Sequence, residues 1–330
     1  MSNEFQRLVT ESTPLAQKVL AYYKNRQNSL FDRQPNPGHL RGIDFYTNAG
    51  LVKVVAFLIA RHKILYNEDL NLLIPQSYTE KINWSKLFRE FKVPITGNKL
   101  LTTRFIPPSI QGLLSCPPVV WRSPLPNLPD NNSIAPGEYY LKSNHGSGRT
   151  KKIIYPISES ERRATENLAA GWLKNPYGIR SGEWFYNVFQ PELLLDRSVT
   201  SDPESISWNV YIFGGEIEMI SAHQKTQSGS ARSTWFNQDF TPFRFQRSTK
   251  ERAVVLDLSN QSKADIVKFA LEVAKEIDNV RVDFFVGDEG RVYLGEVTFT
   301  TLNGTRGGTT ASDREFDYSF GHKWLIDDKA

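Results

Sequence analysis

Eight of the chain's 18 prolines fall within residues 107–136, and this cluster constrains the fold more than any other feature of the sequence. Proline fixes φ at about −65° and has no N–H to donate, so a segment this rich in proline forms neither a regular helix nor a central strand. We therefore predict a proline-rich connecting loop over residues 107–136. It separates a helical N-terminal region, residues 1–106, from a body of strands and helices, residues 137–330.

Apolar residues recur at helical spacing on the N-terminal side of this loop. The pattern predicts helices over residues 5–27 and 46–65. A third helix is predicted from about Thr79, taken as its N-cap, to Phe91, because Pro94 cannot continue it.

Hairpin patterns dominate the body. Two apolar runs, Trp208–Phe213 and Ile217–Ser221, flank a Gly-Gly turn, and a second pair, Val280–Val286 and Val292–Val297, flanks a Gly-Asp-Glu-Gly turn. Hairpins mixed with helices favour an α+β fold with antiparallel sheets over a doubly wound parallel sheet.

Composition excludes several classes of protein. A single cysteine, Cys116, permits no intramolecular disulfide and no Cys₄ or Cys₂His₂ zinc site. The most apolar stretch, residues 51–60, contains Lys53 and is about half the length that spans a bilayer. A net charge of +4, with no arginine-rich run, does not favour nucleic-acid binding. The start of the chain does not resemble a signal peptide, so we expect a cytoplasmic protein with no membrane span.

The segment GEYYLKSNHGSGRTKK combines a strand, a lysine and a glycine-rich loop. Lys142 ends the strand, and glycines in the loop allow backbone N–H groups to point at phosphate oxygens. Because the lysine precedes the glycines, this is not the loop of P-loop nucleotidases. A purely structural turn is the alternative, and His145 is equally compatible with a ligand contact and with a polar loop residue.

The segment VRVDFFVGDEGRVYLGEVTFTTLNG places charged residues on a hairpin. Residues two apart share a face of a strand, so Arg281 lies beside Asp283 and Glu296 beside Thr298. If the strands pair across the turn, the two carboxylates converge, which suits Mg²⁺ bound by one or two carboxylates plus substrate phosphates. A surface hairpin with a cross-strand salt bridge is the alternative.

The order of these segments resembles the ATP-grasp fold, and most closely the TupA-like ATP-grasp proteins. The matching segments, in order, are IPQSYTEKINW, YYLKSNHGSG, EWFYNVFQPELLLD, VRVDFF and GEVTFT. The resemblance implies two α+β subdomains with antiparallel sheets that clasp ATP, a nucleotide lid over about 137–195 and a catalytic part over about 196–330. The helical N-terminal region precedes them.

The resemblance also implies roles. Catalysis is expected of Arg281, which would stabilise the acyl phosphate, and of Lys142. The expected nucleotide contacts are Lys99, Lys142, His145, Gly146, Ser147, Gly148, the backbone of Leu193, Leu194 and Leu195 for adenine, and Asp196 for ribose. The expected Mg²⁺ ligands are Asp283 and Glu296, with Thr298 where ATP-grasp proteins usually have asparagine and TupA-like relatives have threonine, and with Asn303 as a substitute for the missing asparagine. Asn209 stands where a lysine is expected.

The implied activity is ATP- and Mg²⁺-dependent ligation of a carboxylate to an amine through an acyl phosphate, with release of ADP and phosphate. The expected substrates are small molecules or peptide-like metabolites, or a cell-surface polymer precursor. Two alternatives stay open: a small-molecule kinase and a non-catalytic nucleotide-binding scaffold. The polar segment Ser221–Phe236 is read equally as a lid over the acceptor or as a surface loop. The sequence names neither the acid nor the amine, nor the oligomeric state.

Overall fold

The computed structural model describes residues 3–26, 48–89, 91–202, 205–225, 231–245 and 258–326. The helices are α1 (Asn3–Arg26), α2 (Asn48–Tyr66), α3 (Tyr78–Phe88), α4 (Glu159–Lys174), α5 (Asn260–Ala274) and α6 (Ala311–Lys323). The strands are β1 (Val119–Ser123), β2 (Gly137–Ser143), β3 (Thr150–Tyr155), β4 (Leu193–Arg197), β5 (Ile206–Phe213), β6 (Glu216–Lys225), β7 (Ala231–Phe236), β8 (Asn279–Val286) and β9 (Val292–Thr298). Among these residues, no helix is long and apolar enough to cross a membrane.

The chain forms two compact units. The first is helical and consists of residues 1–96, 176–189 and 300–330, and the second contains both sheets and consists of residues 97–175 and 190–299. Helices with antiparallel sheets are the α+β architecture that the sequence predicts. The predicted domain limits at 106 and 136 stay predictions.

In the first unit, α3 begins two residues earlier than the sequence pattern indicates. Its N-cap is Ser77, not Thr79: the Ser77 side chain accepts from the Glu80 backbone N–H, and the Glu80 carboxylate accepts from the Ser77 N–H at 3.0 Å. Thr79 instead donates to Asp317 of α6 through both its N–H and its hydroxyl, each at 2.8 Å. Much of the TEKINW segment therefore serves the packing of α3 against α6.

A left-handed turn follows β9 in the first unit. Leu302, Asn303 and Gly304 have φ values of 50°, 52° and 63°, a region that side chains other than glycine enter at a cost of roughly 1 kcal/mol or more. The buried Lys86 ammonium donates to the Asn303 backbone oxygen at 2.7 Å and to its Oδ1 at 2.6 Å, and Arg61 donates to the same backbone oxygen at 2.7 Å. These bonds hold the turn in its strained conformation.

In the second unit, a four-stranded antiparallel sheet has the order β1-β4-β2-β3, and α4 packs against β2. The proline-rich segment is not entirely irregular, because β1 lies within it between Pro118 and Pro124. β1 is an edge strand, and prolines are tolerated in and beside edge strands because the outer side of the strand has no hydrogen-bonded neighbour.

The second sheet of this unit has five antiparallel strands in the order β7-β6-β5-β8-β9. Side chains alternate between its two faces. One face is apolar and is covered by α5, with Trp208, Val210, Val282 and Phe284 each at most 2% exposed. The other face carries the polar and charged residues described next.

Candidate functional site

The charged residues of the second hairpin lie on one face of the five-stranded sheet. Asp283 of β8 pairs directly with Glu296 of β9 and with Asn209 of β5, and Arg281 pairs directly with Thr298. Directly paired residues project to the same side, so the convergence of the two carboxylates predicted from the turn is observed.

Arg281 holds Asp283 by a bidentate ion pair. Its Nε donates to Oδ1 at 2.7 Å and its Nη2 to Oδ2 at 2.6 Å, while Nη2 also lies 3.3 Å from the Thr298 hydroxyl. Asp283 is only 7% exposed. Burial raises the pKa of Asp283 to about 6; Arg281 opposes this rise and Glu296 adds to it.

Lys99 links this face to the glycine-rich loop. Its Nζ donates to the Gly146 backbone oxygen at 2.5 Å and lies 3.9 Å from Glu296 Oε1, and its backbone N–H donates to the Asn144 oxygen. Burial lowers the pKa of the Lys99 ammonium. The charge of Glu296 partly offsets this lowering, and the charge of Lys142 adds to it. Lys99 is therefore placed where a further anion would stabilise its charge.

Lys142 and Asp196 form an ion pair in the four-stranded sheet, with Nζ to Oδ2 at 2.6 Å. The Lys142 ammonium also lies 6.0 Å from the ring centroid of Phe285 on the five-stranded sheet, so it faces the space between the two sheets. Asp196 Oδ1 is buried and accepts no hydrogen bond from any residue in the described part of the chain. An orphaned acceptor of this kind suits a hydroxyl donor on a ligand.

The glycine-rich loop returns on itself between β2 and β3. Gly146 and Gly148 adopt φ values of 83° and 73°, the left-handed region that favours glycine. His145 is 1% exposed. Arg149 donates to its Nε2, which leaves Nδ1–H to donate to the Ser143 hydroxyl at 2.6 Å. His145 thus supports the loop from inside.

Arg149 was not singled out from the sequence. Its guanidinium also donates to the backbone oxygens of Trp172 and Asn175 at the end of α4, at 2.8 and 3.0 Å. The signal available was the basic run that follows the glycines, but the distant partners of Arg149 leave no mark in the local pattern.

The predicted backbone contact of Leu193–Leu195 with adenine does not fit the strand pairing. These residues belong to β4, which pairs with β1 on one side and β2 on the other. Antiparallel pairing on both sides uses the backbone N–H and C=O groups of a strand, so they are committed to the sheet. The side chains are at most 2% exposed and contribute to the core.

Asn303 lies in the first unit, and its amide is already engaged. Oδ1 accepts from Lys86, as described above, and Nδ2 donates to the Ser181 hydroxyl at 2.9 Å. Thr298, on the same sheet face as Asp283 and Glu296, is the better candidate for a third oxygen ligand.

The donor set suits a hard cation that is shared with a substrate. Within the described residues, no group of three or more His, Cys, Asp or Glu side chains could hold a metal ion by itself. Two carboxylates and a hydroxyl match Mg²⁺, which keeps waters or phosphate oxygens in its remaining positions. The residues therefore fit a magnesium ion that arrives with phosphates.

Cys116 lies near the ion pair of Lys142 and Asp196. Burial, with a smaller contribution from Asp196, raises the pKa of its thiol to about 12, and Lys142 opposes the rise. A thiol of this pKa is a poor nucleophile, which agrees with a site that uses no covalent cysteine.

Comparison with known families gives a match to the model described as TupA-like ATPgrasp, over residues 127–325. Comparison with curated proteins gives no match.

Several solved structures share part of the fold at low identity. D-alanyl-alanine synthetase A from Vibrio cholerae O1 is 17% identical, with 71% of this chain and 62% of that chain covered and a TM-score of 0.41. D-alanine–D-alanine ligase from Bacillus anthracis, complexed with ATP, is 15% identical, with 70% and 64% covered and a TM-score of 0.41. D-cycloserine synthetase DcsG is 11% identical, with 71% and 72% covered and a TM-score of 0.41. The chain thus spans slightly less than two thirds of the length of the first two proteins.

Proposed function

This chain belongs to the TupA-like ATP-grasp family, and we propose that it is an ATP- and Mg²⁺-dependent ligase that joins a carboxylate to an amine. The observation that carries the proposal is the arrangement of opposite charges around one space. Lys99, whose ammonium contacts the glycine-rich loop, approaches it from the segment just before the proline-rich loop, and Lys142 approaches it from β2. Asp283 and Glu296 approach it from β8 and β9.

The reaction that fits this arrangement has two steps. A carboxylate oxygen of the acid attacks the γ-phosphorus of ATP, and the bond to ADP breaks. The amine nitrogen then attacks the carbonyl carbon of the acyl phosphate, phosphate leaves, and the nitrogen loses a proton. Positioning and electrostatic stabilisation supply most of the rate enhancement in such phosphoryl transfers.

Each part of the site has a role in this reaction. Lys99 and Lys142 neutralise phosphate charge, and the left-handed glycines let the loop approach the phosphates closely. Asp196 Oδ1 accepts from a ribose hydroxyl. Asp283, Glu296 and Thr298 would hold Mg²⁺, which screens the charge of the transferring phosphoryl group.

Arg281 is the group best placed to stabilise negative charge that develops on the reacting atoms. It is half-buried beside the carboxylates, and preorganised cations act most strongly where water is largely excluded. We place the reaction in the cytoplasm, where ATP is available, and expect small carboxylate and amine substrates, such as a peptide-like metabolite or a polymer precursor.

Hydroxylamine trapping tests the proposal. The protein is incubated with Mg-ATP, a panel of carboxylic acids and hydroxylamine, and formation of a hydroxamate reports the acyl phosphate whatever the natural amine is. We expect hydroxamate with at least one acid, and a loss of about a hundredfold or more in Lys142→Ala. Arg163→Ala is the control, because Arg163 is an exposed residue of α4 whose one ion pair within the described residues is with Glu159.

Other outcomes identify the alternatives. A stable phosphorylated product that forms without an amine or hydroxylamine identifies a kinase. Binding of ATP with no turnover across the panel identifies a scaffold.

A further inference from the structure

The sheet face that carries Asp283 and Glu296 continues across β5, β6 and β7 as a row of neutral hydrogen-bonding side chains. Asn209 pairs with both Asp283 and Ser221, and Ser221 pairs with Trp235. Neighbouring strands lie about 4.8 Å apart, so the row extends roughly 14 Å from Asp283 to Trp235.

The contacts within the row show which groups it offers. Asn209 Oδ1 accepts from the Ser207 hydroxyl at 2.7 Å. Within the described residues, the Nδ2–H₂ group of Asn209 is therefore the part of its amide that could donate to a ligand. The Ser221 and Ser233 hydroxyls lie 3.3 Å apart on neighbouring strands. Ser221 is 5% exposed, whereas Asn209 and Trp235 are half-buried.

A second row runs parallel to the first on the same face. The register pairs Ser207 with His223 and His223 with Ser233. None of these three residues carries a formal charge when the histidine is neutral. Lys225 ends β6 two residues beyond His223.

Charge therefore separates the two ends of this face. Arg281, Asp283 and Glu296 lie on β8 and β9, while the paired residues described on β5, β6 and β7 are serine, asparagine, histidine and tryptophan. A free amino acid placed along the neutral rows would bring its ammonium to the row residues of β5, β6 and β7, none of which carries a carboxylate, and this is unfavourable. Hydroxyl and amide groups beside an indole instead match a ligand with hydroxyls on its edge and apolar C–H groups on its face.

We propose that these two rows bind the non-reacting part of a substrate and that this part is neutral and rich in hydroxyl groups, as a sugar is. The inference rests on the proposed function, because that function places the reacting end of the substrate at Arg281 and Asp283. It assigns the segment Ser221–Phe236 to a binding surface: its described residues belong to β6 and β7 and not to an irregular loop, and residues 226–230 lie outside the described part of the chain.

Saturation-transfer NMR on the full chain tests this assignment with three probes: methyl β-cellobioside, methyl β-glucoside and diglycine. We expect transfer to both glycosides, stronger for the cellobioside because it covers more of the row, and little to diglycine. Trp235→Ala should weaken cellobioside binding at least about tenfold, and Asn209→Ala should weaken it to a smaller extent. Tyr318→Ala is the matched control, because Tyr318 is a half-buried aromatic residue of α6 in the first unit.

Binding of a non-hydrolysable ATP analogue is measured in parallel and should be unchanged in Trp235→Ala and Asn209→Ala. The assignment is overturned if no glycoside binds or if diglycine binds better than the glycosides. It is also overturned if the glycosides bind equally well to Trp235→Ala, to Asn209→Ala and to the unaltered chain. If the analogue fails to bind while cellobioside binding still depends on Trp235 and Asn209, the proposed function fails and the binding surface stands. Asn209→Ala keeps the test decisive if Trp235→Ala does not fold.

Discussion

Arg281 should compete with a divalent cation for Asp283. Both carboxylate oxygens of Asp283 accept hydrogen bonds from Arg281, at 2.7 and 2.6 Å. A metal ion that uses either oxygen must displace at least one of these bonds. We therefore predict that Arg281→Gln binds Mn²⁺ more tightly than the unaltered chain when no nucleotide is present.

The size of the effect follows from the bonds that must break. A hydrogen bond between charged groups contributes about 1.5–3 kcal/mol, so displacing one or both bonds opposes the metal by roughly 1.5–6 kcal/mol before compensation. A guanidinium released from Asp283 recovers part of this through water and through its contact with the Thr298 hydroxyl. A net penalty of about 2 kcal/mol corresponds to about thirtyfold in affinity.

The assay follows the electron paramagnetic resonance signal of free Mn²⁺ as protein is added. Arg281→Lys should show a smaller gain than Arg281→Gln, because an ammonium is a point charge that cannot bridge both oxygens as the planar guanidinium does. Arg163→Gln makes the same change of charge at an exposed site and should leave the affinity unchanged.

The outcome that refutes this reasoning is Mn²⁺ affinity in Arg281→Gln that equals or falls below that of the unaltered chain, with the variant folded by circular dichroism. A gain that survives the additional change Asp283→Asn refutes it too, because the gain is then not exerted through this carboxylate.

Three further predictions concern His62, Cys116 and Lys86. Burial, with a contribution from Arg306, lowers the pKa of His62 to about 4. The contribution of His62 to the free energy of unfolding is therefore fully present above pH about 6.5 and falls by roughly 2 kcal/mol as the pH drops to 5. Urea titrations should show this loss, and His62→Phe should reduce it. Because its pKa is about 12, Cys116 should react with iodoacetamide at pH 8 more than about a thousandfold more slowly than free cysteine. Mass spectrometry measures the rate, and a rate near that of the free thiol contradicts the raised pKa. Lys86→Met removes the donor to two oxygens of Asn303 and should lower the free energy of unfolding by about 3 kcal/mol. A decrease in melting temperature no larger than that of an exposed-site variant would contradict the role of these two bonds.

Local pattern predicted the hairpins, and the side-chain period of two predicted that Arg281 shares a face with Asp283 and Glu296 with Thr298. Counting back from the turn alone would pair Asp283 with Gly295. The register shifts between Asp283 and Phe284, and this irregularity brings Glu296 opposite Asp283. The cap of α3 was missed because Ser77 and Thr79 are both suitable cap residues two positions apart. Glu80, three residues after Ser77, was the signal that distinguishes them.

Long-range packing decided what counting could not. The central position of β4 depends on β1, which lies within the proline-rich segment, and no local pattern shows that Leu193–Leu195 have a partner strand on each side. In the same way, the sequence predicts Asn303 as a substitute Mg²⁺ ligand, and only the folded first unit shows that its Oδ1 already accepts a hydrogen bond from Lys86.

The helical unit is assembled from three separate stretches of the chain, residues 1–96, 176–189 and 300–330. Its integrity depends on bonds between those stretches, such as Thr79 to Asp317 at 2.8 Å and Lys86 to Asn303 at 2.7 Å, which join the first stretch to the last. A single cut by a protease between β2 and β3 should therefore not release a fragment under native conditions. The same interleaving means that the helical unit cannot finish folding until residues 300–330 have been synthesised, although its first stretch, residues 1–96, leaves the ribosome before the sheets do.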